Sequence, residues 1–242
     1  MKRKQLTIIL SATAITVAAI GATFAYLHDT TDRVTNAFAS EKDIDILLRE
    51  PLWDGYEFTD GNYTNGESAK PAVPDKAALG VVQAQDYVPG QEIPKNPKVK
   101  NVGKLVDDKQ EGVECKVALK VEYLDEAGKV LTYDEFKKAY LTDTIAAPDQ
   151  DDLDFEVGTG TNQWTQLAET EAGYDVYLYN STVAVGEETT PLFTEVPLSW
   201  DLEPGTDGKM PEFKIKITAY AIQADVPSDV LNQTMLDFVA GK

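Results

Sequence analysis

The chain has 242 residues and carries 41 acidic against 22 basic side chains, a formal net charge of −19. That surplus argues against nucleic acid or anionic lipid as a partner, since both need a basic footprint. One cysteine, Cys115, rules out an intramolecular disulfide, and one histidine, His28, rules out a site built on several imidazoles within one chain.

The first 25 residues read as a signal peptide. Lys2, Arg3 and Lys4 form a basic start, Leu6 to Ile20 an apolar stretch, and Ala22-Thr-Phe-Ala25 a small-x-small cleavage site, so the predicted cut lies between Ala25 and Tyr26. Thr7, Ser11, Thr13 and Thr16 dilute the apolar stretch, which is shorter than the roughly 20 residues of a bilayer span, so cleavage is favoured over retention as an anchor. No second apolar run follows, and no hydrophobic tail behind an LPxTG-like sequence is seen. The expected destination is the outside of a Gram-positive-type bacterium, as a secreted or cell-surface protein. Loss of the three leading cations would leave acids outnumbering bases by more than two to one.

Residues 26–40 come next and combine polar positions with Tyr26, Leu27, Val34, Thr35 and Phe38. A terminal segment of this kind can pair with an exposed sheet edge on a neighbouring molecule. Such pairing is head-to-tail, and where its rotation does not close it builds a filament. Tyr26, Leu27, Val34 and Phe38 are therefore the candidate assembly residues.

Residues 41–242 read as one mainly β domain. Ile44, Ile46 and Leu48 alternate with Asp43 and Asp45; the same period returns in Val117 to Tyr123, Tyr174 to Tyr179 and Phe213 to Ala221. Gly, Pro and Asp turns between such strands predict an all-β, jelly-roll-like antiparallel sandwich with short helices and loop insertions. Tyr177 and Tyr179 fall opposite Tyr174, Val176 and Leu178, so either both faces of that strand are covered or one carries a partner-binding aromatic strip.

Two helices interrupt the pattern. Thr132 and Glu135 have capping-box spacing, with Phe136 and Tyr140 as an apolar face, predicting a helix from Thr132 to Leu141. Pro227-Ser228-Asp229 leads into Val230, Leu231, Met235, Leu236 and Phe238, with Gly241 beyond, predicting a helix that docks on the sheet. Residues 54–80 and 149–154 are expected to be surface loops.

The inventory for chemistry is short. Cys115 shares parity with Val113, Val117 and Leu119 and is expected to face the core as a small hydrophobe. A zinc hydrolase commonly presents two His one helical turn apart, and His28 stands alone. Asp149, Asp151, Asp152 and Asp154 could offer oxygens to calcium, but without the EF-hand Gly and distal Glu the expectation is a solvated loop. Gly158-Thr-Gly160 lacks the Lys of a phosphate loop and is expected to be a turn. Pro89-Gly90 and Asn101 with Gly103 are assigned to tight turns, Asn101 and Gly103 as positions that tolerate left-handed backbone. Pro191-Leu-Phe193 ahead of Val196-Pro197 is assigned to packing a strand start. Trp53, Tyr56, Trp164, Tyr174, Tyr177, Tyr179 and Trp200 are expected in the core, with a sugar-stacking platform as the alternative. No catalytic, cofactor-binding or metal-ligating residue is predicted.

The chain resembles the TasA/camelysin family of bacterial proteins exported through a SipW-type signal peptidase. The resemblance is carried, in order, by Gly21-Ala-Thr-Phe-Ala25-Tyr-Leu-His-Asp29, Thr35-Asn-Ala-Phe38-Ala-Ser, and Asp43-Ile-Asp-Ile-Leu-Leu-Arg-Glu-Pro51-Leu-Trp53. It continues in Val88-Pro-Gly90 with Ile93-Pro-Lys-Asn-Pro97 and Asn101-Val-Gly103, in Gly186 to Val196, and in Ala219 to Asp225. It implies a secreted, jelly-roll-like subunit of biofilm matrix fibres, with the mature N-terminal strand donated to the next copy. Implied partners are the chain itself, accessory matrix subunits and the signal peptidase during export. The camelysin branch also implies a casein-cleaving metallopeptidase, for which the ligand inventory supplies no zinc site. A monomeric adhesin or carbohydrate-binding module is the third alternative.

Overall fold

The computed structural model describes residues 33–36, 44–58, 76–106, 109–141, 153, 155–170 and 173–241. These are mostly strands in several antiparallel sheets, with a few short helices. In chain order they are β1 (Arg33–Asn36), β2 (Ile44–Arg49), α1 (Pro51–Asp54), a 3-10 turn (Lys76–Ala78), α2 (Gly80–Gln83), β3 (Glu92–Pro94), β4 (Lys98–Asn101), β5 (Lys104–Val106) and β6 (Lys109–Glu111). Then follow β7 (Cys115–Asp125), β8 (Val130–Leu131), α3 (Tyr133–Tyr140), β9 (Trp164–Thr170), β10 (Tyr174–Tyr179), β11 (Glu195–Pro197), β12 (Phe213–Gln223) and α4 (Leu231–Val239).

The alternation of residues 117–123 and 213–221 becomes the pair β7 and β12, in unbroken antiparallel register from Phe213 opposite Asp125 to Gln223 opposite Cys115. The main sheet runs β12-β7-β10-β9, with β8 also on β7; a second sheet runs β1-β2-β4. Two short ladders, β11-β3 and β5-β6, stand beside them, with isolated bridges such as Cys115 to Val183 and Leu141 to Leu198. Val117, Leu119, Val121, Ile215 and Ile217 share one buried cluster with Ile44, Ile46, Leu48 and Val99, so the two principal sheets contribute to a common core.

Both faces of β10 are covered, which answers the question left by its tyrosines. Tyr177 and Tyr179 join the common core, while Val176 and Leu178 meet Ala118 and Ile222 beneath Met235 and Val239 of α4. The C-terminal helix therefore docks as its periodicity predicts. Val230, expected on its buried side, is exposed at the helix start, and Val239 takes the inner position instead. Nine residues, about two and a half turns, separate the two, which places them on opposite sides of the helix.

Thr132 Oγ1 accepts from Glu135 N at 3.2 Å and Glu135 Oε2 accepts from Thr132 N at 3.0 Å, the reciprocal cap expected for α3. That cap aims Phe136 and Tyr140 inward. Phe136 stacks on Tyr123 at 4.9 Å and meets Phe213 edge-on at 5.3 Å, so α3 is fastened to β7 and β12 by one aromatic cluster.

Two turn assignments need correction or refinement. Gly90 and Gly103 have positive φ, as assigned, but Asn101 does not, since Asn162 is the non-glycine residue with positive φ among those described. Asn101 is instead a fully buried strand residue. Its Nδ2 donates to Val113 O at 2.8 Å and Val183 O at 3.1 Å, and its Oδ1 accepts from Gly103 N. The amide thus takes up Val113 O, and it shares Val183 O with Cys115 N and Gly103 N with Asp45 O. The expected loop 149–154 lies outside the described residues apart from Leu153, which is fully buried rather than on the surface.

Loss of the cap in Thr132→Ala should cost about 1 kcal/mol, and loss of the aromatic anchor in Phe136→Ala about 3–5 kcal/mol. Urea unfolding curves compared at equal slope measure both, and the order of the two effects is the expected outcome.

Candidate functional site

Of the segment 26–40, only residues 33–36 are among the described residues. Residues 33–36 form β1, which pairs antiparallel with β2 from Arg33 opposite Leu47 to Asn36 opposite Ile44, placing Val34 opposite Ile46. Ala25, Tyr26, Leu27 and Phe38, with His28, lie outside the described residues. The other edge of β2 is taken by β4, from Ile46 opposite Asn101 to Arg49 opposite Lys98.

β2 differs from its expected half-wet pattern, because every one of its residues is buried. Ile44, Ile46 and Leu48 enter the common core, while Leu47 on the reverse side packs with Phe58 and Val102. Asp45 is buried as well, and its backbone O accepts from Val102 N at 2.8 Å. The segments around residues 58 and 102 fold over that side, a long-range event that two-residue alternation does not encode.

Where β2 ends, two opposite charges are buried together. Glu50 Oε2 lies 2.6 Å from Lys95 Nζ, and both side chains are fully buried. Lys95 Nζ also sits 4.8 Å from the ring centroid of the buried Trp53. Pro51 opens α1 directly after Glu50, whose carbonyl accepts from Trp53 N and Asp54 N. Asn96 Oδ1 accepts from Leu52 N at 2.7 Å, and Lys95 N donates to Thr194 O at 3.0 Å. The Pro-Lys-Asn-Pro piece thus ties the end of β2, α1 and the approach to β11 at one point. Glu50 Oε1 and Trp53 Nε1 are buried without a hydrogen-bond partner among the described residues. The sequence shows this charge pair only as ordinary surface-type residues 45 positions apart in the chain.

Beside it, Trp53, Ala84, Tyr87, Ile93, Val196, Leu198, Glu212 and Phe213 line a narrow apolar recess, partly open to solvent. Tyr87 closes one side, its hydroxyl donating to Pro211 O. Burial, with Tyr140 and Glu212 nearby, pushes its phenol up to about 12.

Among the aromatics named from sequence, Trp53, Trp164, Tyr177 and Tyr179 are core residues, and Trp164 Nε1 donates to Pro191 O at 3.2 Å. Tyr56 and Tyr174 are half-buried. Trp200 is the correction, being 66% exposed. Its ring covers Gly90, where an added Cβ would meet three indole carbons at 2.3–2.5 Å. Leu192 and Phe193 pack ahead of β11, as assigned from their position.

Cys115 is fully buried, its Sγ 3.7 Å from Val183 O, and burial raises the thiol from 9.0 to about 12 despite the neighbouring Lys116. Gly158 and Gly160 form a turn whose carbonyls accept from Asn180 Nδ2, both at 2.9 Å. Among the described residues no group of three His, Cys, Asp or Glu side chains is placed to hold a metal ion, and no helix is long and apolar enough to cross a membrane. Comparison with protein-family models, with curated proteins and with solved structures finds no match.

Two outcomes test this description. Removing one member of the buried pair in Lys95→Met should destabilise the fold by about 3–5 kcal/mol, while Glu50→Leu with Lys95→Met should recover much of the loss; denaturant midpoints give both. A thiol at about 12 in the fold and 9.0 when unfolded supports folding fully below pH 9 and loses that support as pH rises toward 12, because the unfolded chain sheds the proton first. The urea midpoint should fall across that window, less steeply in Cys115→Ala, and a thiol reagent at pH 8 should label only unfolded protein.

Proposed function

We propose that this chain is an exported structural subunit of an extracellular matrix fibre, its copies joined by the N-terminal segment 26–40. In this reading residues 1–25 are removed on export, cleavage falls between Ala25 and Tyr26, and residues 41–242 form a jelly-roll-like sandwich. The partner is a second copy of the chain, with accessory matrix subunits added, and the protein resides outside the cell. The resemblance carried by residues 21–53 and the later pieces supports it.

The observation that carries the proposal is the pairing of β1 with β2. β1 is a four-residue terminal strand at the edge of its sheet, joined to β2 through residues 37–43. The same strand supplied by a neighbour would make the same ladder, so exchange costs no pairing and is decided by concentration and by the entropy of residues 37–43. Without either strand, β2 would present an unpaired edge beside Ile44 and Ile46, which is a strong demand for a substitute. The high acidic charge opposes close approach of copies, so lower pH or added salt should favour assembly.

Protein beginning at Tyr26 should form filaments seen by electron microscopy and pelleted by sedimentation. Protein beginning at Asp43 should not, and a synthetic peptide of residues 26–42 should bind it one to one. Filaments from both forms, or a peptide that does not bind, would refute the joint. Val34→Pro, which removes the amide donor opposite Ile46 while leaving the segment present, should slow assembly.

A further inference from the structure

We propose that the exposed face of Trp200 is a carbohydrate platform for a neutral or amino-substituted, gluco-configured pyranose within a polysaccharide. This goes beyond fibre assembly, and it rests on how the indole is presented. The indole is 66% exposed, the highest value among the exposed large hydrophobic side chains described, so a flat apolar face is open to a ligand. Here the ring is not a loose side chain. One face lies on Gly90, where three indole carbons occupy the place of a Cβ. Gly90 also has φ of 75°, so glycine is required twice over.

The backbone beneath is fastened from both sides. Gly90 N donates to Ser199 O at 3.1 Å, Leu198 N to Gln91 O at 2.9 Å, and Ser199 N to Tyr140 O at 2.9 Å. Gln91 Oε1 accepts from Val88 N, and Ser199 Oγ accepts from Asp201 N, each at 3.1 Å. The result is a flat ring, held before any ligand arrives, with its second face toward solvent. Preorganisation of that kind lowers the entropy lost on binding.

A gluco-configured pyranose fits such a face. In its β-linked form all ring substituents are equatorial, so each side shows axial C–H groups made slightly positive by the adjoining oxygens, and these meet the negative face of the indole. Local charge narrows the class further. Residues 84–94 and 192–208 contain Asp86, Glu92, Glu195, Asp201, Glu203 and Asp207, against Lys209 just beyond them and Lys137 and Lys138 on α3, whose Tyr140 O accepts from Ser199 N, so the acids stay in the majority. Anionic sugars are therefore repelled, whereas neutral sugars are accepted and a protonated amino sugar gains both from the carboxylates and from the ring.

The test is calorimetric and fluorimetric titration of the full chain with N-acetylglucosamine hexamer, glucosamine hexamer and, as the anionic control, a polyuronate oligomer. The first two should bind with a change in indole emission and the third should not. Trp200→Ala should weaken binding about tenfold or more, Trp200→Phe should restore part of it, and both variants should keep the parent melting temperature because the ring is on the surface. Gly90→Ala should also lose binding by displacing the indole. Absence of binding by both hexamers, or equal binding by Trp200→Ala, overturns the proposal. So does loss of filaments in Trp200→Ala without any sugar affinity in the parent, which would give the ring to a second copy. Filament assembly by the parent is scored separately, so the platform and the fibre reading fail independently.

Discussion

The eleven-residue antiparallel register of β7 and β12 is the constraint on which the rest of the molecule depends. It commits the odd positions Cys115 to Tyr123 of β7 and Phe213 to Ala221 of β12 to a single face, and that face shares the common core with β2 and β4. It also sets the reverse face, where Ala118 and Ile222 receive α4. A slip by one residue would turn one of the two strands over, pressing Lys120 and Glu122 of β7, or Lys216 of β12, into the core. Those three instead form ion pairs on the reverse side, Glu122 meeting Lys120 at 3.2 Å and Lys216 at 3.0 Å, and so oppose the slipped register.

With no disulfide available, stability comes from packing, from the aromatic cluster at Phe136 and from buried polar groups that have particular partners. Asn101 and the Glu50–Lys95 pair act at the ends of β4 and β2, where sheet pairing gives out and backbone groups need other partners. Buried charge contributes little net stability against an apolar substitute, but a lone member of the pair is costly, so the arrangement penalises misplacement of α1 or of the segment carrying Lys95. The consequence for function is a rigid end to β2 next to an N-terminal strand whose pairing is short.

Much of the fold was legible because it is local. Alternation in residues 117–123, 174–179 and 213–221 located three strands of the main sheet, the Thr132–Glu135 spacing located α3, and the spacing after Pro227 located α4. What escaped was set by distant contacts. Burial of both faces of β2 follows from Phe58 and Val102 folding over it, and the role of Asn101 follows from carbonyls supplied by residues 113 and 183. Trp200 is expected in the core, as tryptophan usually is, but it lies exposed over the Gly90 turn. Of the candidate site, only the backbone of Val34 falls among the described residues, and its register could not be read from a pattern with period two.

The central claim is that β1 of one copy pairs with β2 of another, and disulfide trapping tests it most directly. In a Cys115→Ala background, V34C protein and I46C protein, which place single cysteines at positions opposite one another in the register, are mixed, assembled and oxidised. The account predicts covalent dimers joining one V34C chain to one I46C chain within filaments. Filaments in which a disulfide forms only when both substitutions are in the same chain would show that β1 stays at home, and would contradict it.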